Sequence, residues 1–105
     1  MVGLGGLLTE VLDDVAVRLA PVDHATALTM LAELRGAQIL DGVRGAPPVD
    51  RGAVAELIVG LARLGEARPD IVEVDLNPVI ASATSARAVD ALVVLGATPE
   101  LPTHA

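Results

Sequence analysis

The sequence predicts an α+β domain in which two helices cover one face of a four-stranded antiparallel sheet, in the order β-β-α-α-β-β. Three observations predict this class. Two central segments carry apolar residues at helical spacing, and β-prone apolar segments stand on both sides of them. Of the 105 residues, 52% are apolar, which is enough for one modest core. We therefore expect a single domain over residues 1–97 and a disordered tail over residues 98–105.

The first two strands are predicted near the N-terminus, after a glycine-rich start. Residues 7–12 and 15–20 are apolar and β-prone, and the acidic residues 13–14 between them favour a hairpin turn. Asp23 is a good N-cap for the first helix, and Gly36 is expected to close that helix.

The second helix and the last two strands follow a loop rich in glycine and proline. Asp50 is the expected N-cap of this helix, and Gly65 and Pro69 are expected to end it. Residues 71–77 alternate apolar and polar, and residues 86–95 are strongly β-prone, so they predict a second hairpin. The helix has an apolar stripe that is expected to pack in the core, formed by Val54, Leu57, Ile58, Leu61 and Leu64.

The composition excludes several classes of function. The chain has no cysteine, so disulfide scaffolds, cysteine-bound metals and thiol catalysis are excluded. Lysine is absent, which excludes a Schiff base and a phosphate-binding lysine, and no aromatic residue is present to stack on a base. A net charge of −7 repels nucleic acid and anionic lipid. No apolar run approaches a membrane span, and no signal peptide is visible, so we expect a cytoplasmic protein.

The polar residues of the second hairpin are the strongest candidates for a site. Strand alternation places Glu73, Asp75 and Asn77 on one face. If residues 83–84 form a two-residue loop, paired residue numbers sum to 167, and Asn77 lies directly opposite Asp90.

An amide oxygen and a carboxylate in this position could share one hard cation. Directly opposed residues have their Cβ atoms ~4.5–5.5 Å apart on one face. Magnesium prefers such oxygen ligands and keeps water or substrate phosphate in its other positions. The alternative is a solvated sheet face without a ligand. A longer loop, or a bulge near Pro78, would shift the register and separate the pair.

Three blocks of the chain, in the same order and spacing, resemble the end of the ATP-grasp region of ADP-forming (NDP-forming) acyl-CoA synthetases. This family includes acetate–CoA ligases and is similar to the succinyl-CoA synthetase beta chain. The resemblance covers about residues 2–95 and implies one half of an ATP-grasp fold. The blocks are residues 3–6 with Glu10, Asp14, Arg18 and Pro21; residues 40–45 with Pro47, Pro48 and Asp50; and residues 73–78 with residues 88–91.

The resemblance implies Mg²⁺ and ATP or ADP as cofactors. In the family, the asparagine of the Asn-Pro motif and the aspartate of the following strand hold the Mg²⁺ that bridges the nucleotide phosphates. These positions match Asn77 and Asp90, the pair that the hairpin register also brings together.

Further residues receive weaker assignments from the same resemblance. Asp75 and Glu73 match pocket carboxylates, with an ordinary surface role as the alternative. Arg18 and Arg44 are expected either to face phosphate or to lie on the surface. Glu10 matches an acidic position that lines the cleft, with an exposed edge as the alternative. No catalytic residue is assigned, and the sequence does not indicate the acyl substrate.

The sequence departs from the family in what it lacks. The first ATP-grasp half, with its phosphate-binding lysine, and the CoA-binding domains are not represented. We therefore expect a fragment or subunit that is inactive alone and that needs those missing parts as partners, or that associates with itself. A non-catalytic nucleotide- or cation-binding module, a structural module and an inert remnant are the alternatives.

Overall fold

The computed structural model describes residues 1–5, 14–42 and 45–96. This part of the chain is α+β, as the sequence predicts. Neither of its α-helices is long and apolar enough to cross a membrane. In chain order the elements are β1 (Val2–Gly3), β2 (Val15–Ala16), α1 (His24–Glu33), a 3₁₀ helix (Ala37–Asp41), α2 (Arg51–Ala67), β3 (Ile71–Leu76), β4 (Val79–Ala81), β5 (Ala86–Ala88) and β6 (Ala91–Leu95).

The strands of the described residues form three antiparallel ribbons, and the single four-stranded sheet expected from the sequence is not seen among them. β1 pairs with β2, β3 with β6, and β4 with β5. The last two ribbons are the two halves of one long hairpin, interrupted at residues 77–78 and 89–90. Pro78 has no N–H, so the backbone ladder cannot continue unbroken through it.

The N-terminal pairing corrects the sequence prediction. Val15 and Ala16 pair with Gly3 and Val2, in the segment that was expected to precede the sheet. The strand also ends at Ala16, four residues before its predicted end. The predicted partner strand at residues 7–12 lies outside the described residues.

Asp14 was expected in a hairpin turn, whose other residues lie outside the described part of the chain, and the structure buries it. Its residue surface is only 5% exposed. The carboxylate accepts hydrogen bonds from the N–H of Arg35 at 2.6 Å and the N–H of Gly36 at 2.8 Å. Asp14 therefore fastens the start of β2 to the chain that follows α1.

Helix α1 begins where predicted and ends earlier. The Asp23 side chain accepts the Thr26 N–H at 2.7 Å, which confirms the predicted N-cap. The helix ends at Glu33, and Gly36 does not close it, because its φ of −87° lies outside the left-handed region. Glycine at this position has another effect: it leaves room for the end of the Leu4 side chain, which would have to shift if a Cβ were present.

Helix α2 also has its predicted N-cap, since Asp50 accepts the Ala53 N–H at 3.1 Å. The helix continues through Gly65 to Ala67, so Gly65 does not end it, whereas the end directly before Pro69 is as predicted. The predicted stripe is only partly in contact with the core. Val54 and Ile58 pack against the core, whereas Leu57 and Leu61 are half-buried and Leu64 is exposed.

The core lies between the two helices and the chain around β2. α2 enters it mainly through small side chains, which allow the helix axes to approach closely. The long hairpin contributes none of the fully buried residues. The core residues are Ala16, Val22, Ala27, Met30, Leu31, Leu34, Ala55 and Val59.

Candidate functional site

The long hairpin keeps one register on both sides of its interruption. Paired residue numbers sum to 167 in β4–β5 and, from Glu73 onward, in β3–β6, as for Asp75 and Leu92. At the tip, the Ser82 N–H donates to the Ser85 oxygen at 2.8 Å, leaving residues 83–84 as the two-residue loop. The register predicted from the sequence is therefore confirmed.

Asn77 and Asp90 lie opposite each other where the two halves of the hairpin meet. The Asn77 N–H donates to the Asp90 backbone oxygen at 3.1 Å, and both residues are exposed. Asp90 Oδ1 accepts the Ala91 N–H at 2.9 Å, a contact that orients the carboxylate at the start of β6. The predicted opposition of the two residues is confirmed by the register, while their role as ligands stays a prediction.

The same face of β3 carries two further carboxylates. Glu73 and Asp75 alternate with the half-buried Val74 and Leu76, and both acidic residues are exposed. Alternation places Asp75 beside Asn77 on one surface of the ribbon. The ribbon therefore presents a row of oxygen-bearing side chains that ends at Asn77.

The first part of β3 departs from this alternation. Strict alternation from Val74 would place Val72 on the same half-buried face, but Val72 is 68% exposed. The register shifts between Ile71 and Glu73, which leaves Val72 without a partner in the ladder. A bulge of this kind turns one side chain away from the face that its neighbours share.

Arg18 is held by helix α1. Its guanidinium forms an ion pair with Glu33, and it also donates to the Val17 oxygen at 2.9 Å. The hydrogen bond and charge of Glu33 raise the pKa of Arg18. Within the described ranges, Arg18 has no hydrogen bond or ion pair to the hairpin, so the structure does not join it to Asn77 and Asp90. Glu10 and Arg44 lie outside the described residues.

Contacts at the hairpin tip were not predicted from the sequence. The Asp50 N–H donates to the Ser82 oxygen at 2.7 Å, which joins the N-terminus of α2 to the tip. Arg51 Nη2 donates to Asp41 Oδ1 at 3.0 Å and to the Ala37 oxygen at 3.1 Å. The sequence feature that could have predicted the ion pair is the presence of opposite charges, Asp41 and Arg51, at the two ends of the loop. These contacts fix α2, the loop and the hairpin relative to one another.

A metal at Asn77 and Asp90 would need further ligands besides these two side chains. In the part of the chain that the structure describes, no three histidine or acidic side chains are grouped to hold a metal ion. Asn77 and Asp90 provide two kinds of oxygen ligand, and the charge of the chain is strongly negative. Such a donor set suits a hard cation that retains water or phosphate in its remaining positions.

Comparison with known proteins identifies the chain's relatives. The β subunit of acetate–CoA ligase (ADP-forming) I from Pyrococcus furiosus is 44% identical over 95 residues, which are 90% of this chain and 41% of that relative. Acetate–CoA ligase (ADP-forming) I from Archaeoglobus fulgidus is 40% identical over 96 residues, which are 91% of this chain and 14% of that protein.

A solved structure shares the fold. Dinucleotide forming acetyl-coenzyme A synthetase 1 of Ca. Korarchaeum cryptofilum, in complex with coenzyme A, Ca-AMPCP and HgCl⁺, superposes with a TM-score of 0.86 at 38% identity. The match covers 90% of this chain and 41% of that one. The chain thus spans less than half the length of these relatives. An ATP-grasp domain family model matches residues 1–95. The chain therefore belongs to the ATP-grasp domain family and is homologous to ADP-forming acetate–CoA ligases.

Proposed function

We propose that the chain supplies the Mg²⁺–nucleotide side of an ATP-grasp site in an ADP-forming acyl-CoA synthetase. Asn77 and Asp90 are its ligands in this proposal. The observation that carries it is their direct opposition across the hairpin, with both residues exposed, in a chain of this family. A related structure holds coenzyme A with the nucleotide analogue Mg-AMPPCP, which supports nucleotide and metal as ligands.

The two side chains suit this task chemically. The Asn77 amide oxygen contributes a neutral donor, and the Asp90 carboxylate contributes one negative charge. Since Asp90 Oδ1 accepts the Ala91 N–H, Oδ2 is the oxygen left to face outward. When bound, Mg²⁺ would neutralise part of the phosphate charge, which a chain of net charge −7 without lysine cannot do by itself.

The other predicted residues take supporting roles in the proposal. Asp75, on the same face as Asn77, is placed to hold water at the edge of the site. Arg18 can face phosphate only if its ion pair with Glu33 opens, so a surface role suits it better. The roles of Glu10 and Arg44 stay predictions, with the cleft or an exposed edge for Glu10 and the phosphates or the surface for Arg44.

The complete reaction of the family converts ATP, an acid and CoA into acyl-CoA, ADP and phosphate. The chain spans 41% of the P. furiosus β subunit, so we propose that the complete reaction also needs the remaining ATP-grasp half and the CoA-binding domains. Purified alone, the chain should not form ATP from ADP in a CoA-dependent assay. Detectable ATP formation would contradict this part of the proposal.

Calorimetry with Mg–ADP tests the site. The unmodified chain should give weak, saturable heat, and Asn77→Ala or Asp90→Asn should abolish it. Glu66→Gln also removes one carboxylate, from the exposed surface of α2, and should leave the heat unchanged. The chain has no tryptophan or tyrosine, so a heat or NMR signal is preferable to fluorescence. Equal heat from Asp90→Asn and Glu66→Gln would refute the assignment.

A non-catalytic nucleotide- or cation-binding module is the second candidate. The absence of lysine and the net charge of −7 favour it, because they weaken phosphate binding by an isolated half-site. Adding the missing half and the CoA-binding domains of a relative separates the two functions. Restored acyl-CoA formation supports the enzyme, whereas binding that never leads to turnover supports the module. Absence of binding in both experiments indicates an inert remnant.

A further inference from the structure

The ribbon of β3 and β6 leaves one apolar strand exposed along its whole length. In β6, Leu92 is 56% exposed, Val93 49% and Leu95 62%. Among the described residues, β6 pairs with β3 on one side and with no strand on the other. An apolar strand with an unpaired edge is a template for pairing with another chain.

The hydrogen bonds at the two ends of β6 show which groups occupy this edge. Asp90 accepts the Asn77 N–H at 3.1 Å, and the Gly96 N–H donates to the Asp70 oxygen at 2.8 Å. Asp90 and Gly96 therefore point their backbone N–H and C=O groups toward β3. Because antiparallel residues alternate in this respect, every second residue between them turns its N–H and C=O outward. The outward residues are Ala91, Val93 and Leu95.

The outer edge of β3 does not suit pairing between copies. The same alternation turns the backbone groups of Val74 outward, between the carboxylates of Glu73 and Asp75. Two copies related by a two-fold axis at Val74 would place Glu73 directly opposite the partner's Asp75. Like charges directly opposed across a ladder are destabilising, so this edge disfavours a second copy.

The edge of β6 is self-complementary. A two-fold axis at Val93 places Leu92 opposite the partner's Val94, and Ala91 opposite the partner's Leu95. The one carboxylate nearby, that of Asp90, meets the partner's Gly96 and no charge. Each outward N–H then finds a carbonyl oxygen, and only apolar side chains face each other across the junction.

We propose that β6 is the dimerisation edge of this protein. Two copies join around Val93 into one four-stranded antiparallel sheet, in the order β3, β6, the partner's β6 and the partner's β3. This association does not depend on a nucleotide or a metal. Because each copy carries a net charge of −7, added salt should strengthen it by screening the repulsion between copies.

Sedimentation velocity with interference optics tests the dimer. The apparent mass from sedimentation should rise from 10.6 kDa for the monomer to twice that value as the protein and salt concentrations increase. Val93→Pro removes an outward N–H but no donor to β3, and should weaken dimerisation about tenfold, since each dimer loses two equivalent hydrogen bonds. The matched variant Val74→Pro removes an outward N–H of β3 and should dimerise like the unmodified chain. A chain that stays monomeric at high concentration and high salt would overturn the proposal.

Cross-linking tests the register without relying on these proline variants. Leu92 and the partner's Val94 form a pair without mutual backbone hydrogen bonds, whose side chains lie closest together. The chain has no cysteine, so Leu92→Cys combined with Val94→Cys should give a covalent dimer on mild oxidation. Val74→Cys is the control on β3: it would lie opposite its own copy across that edge, and it leaves the carboxylates of Glu73 and Asp75 in place, so it should stay uncrosslinked. Equal cross-linking by both variants, or cross-linking by Val74→Cys alone, would refute the β6 interface.

Discussion

Among the described residues, Asp14 is a buried carboxylate that accepts two backbone hydrogen bonds. Each of its oxygens accepts one backbone N–H, from Arg35 and from Gly36. Removing this side chain would take the acceptor from two partly buried N–H groups. A hydrogen bond to a charged acceptor contributes more than one between neutral groups, and two such bonds would be lost.

We therefore expect Asp14→Ala to lower the free energy of unfolding by about 2 kcal/mol. Urea denaturation followed by far-ultraviolet circular dichroism measures this change. Asp75→Ala removes an exposed carboxylate and should change stability by less than about 0.5 kcal/mol. Equal stability of the two variants would show that the Asp14 contacts contribute nothing.

Alanine substitutions at two glycines of the loop before α2 distinguish the cost of backbone strain from the cost of a steric collision. Gly42 and Gly45 have φ values of +98° and +81°. A Cβ at Gly42 would also collide with the Ala46 carbonyl oxygen, whereas a Cβ at Gly45 meets nothing within 4 Å. Gly45→Ala should lower the free energy of unfolding by about 1 kcal/mol, the cost of a left-handed alanine. Gly42→Ala should lower it clearly further, and equal costs by denaturant titration would contradict the collision.

At the scale of elements, an ion pair marks the entry to β3. Arg68 Nε donates to Asp70 Oδ1 at 2.9 Å, and Arg68 Nη2 donates to Asp70 Oδ2 at 2.7 Å. The hydrogen bonds from Arg68 hold the pKa of Asp70 below its usual value. The folded state therefore binds this proton less readily than the unfolded state does. The stabilisation is present above the ordinary aspartate pKa of about 3.9 and is lost as pH falls through the lower folded value.

An NMR titration of the aspartate carboxyl carbons tests this contribution. Arg68→Gln should move the pKa of Asp70 upward, toward its ordinary value. The pKa of Asp23 serves as the control, because the hydrogen bonds that lower it come from the Thr26 side chain and N–H. A titration of Asp70 that does not change in Arg68→Gln would refute the assigned cause.

Local signals in the sequence were sufficient for some elements. Asp23 and Asp50 cap their helices as predicted, because an N-cap is decided within four residues. The register of the long hairpin was also predictable, since a two-residue loop at residues 83–84 fixes every pair that follows. The opposition of Asn77 and Asp90 depends on that loop alone.

Other features depend on residues far apart in the chain and were missed. β2 pairs with β1, and no local pattern indicates that partner. Gly36 was interpreted as a helix end because of its freedom in φ, whereas in the structure it leaves room for the Leu4 side chain. The ion pair that holds Arg18 joins it to Glu33 of α1, and no local pattern identifies that partner.

For the whole molecule, the position of the core explains where apolar surface is exposed. The buried residues belong to α1, α2 and the chain around β2, so the long hairpin is fixed mainly by its own ladder and by the contacts of its tip. The chain covers less than half of its relatives, and the hairpin carries the candidate ligands at its middle. The sequence could predict these ligands from one hairpin, but it could not predict which parts of the surface stay uncovered.

In the proposed dimer, the carboxylates of β3 prevent pairing at the outer edge of that strand, so each copy can pair only through β6. Glu73→Gln combined with Asp75→Asn would keep the strand and its hydrogen bonds but remove the repulsion between copies. Both margins of the ribbon would then accept neighbours, and a closed pair would become a growing filament of stacked strands. Thioflavin T fluorescence and electron microscopy should detect fibrils in this variant and none in the unmodified chain. Two acidic side chains would thus protect a small, highly apolar protein from amyloid.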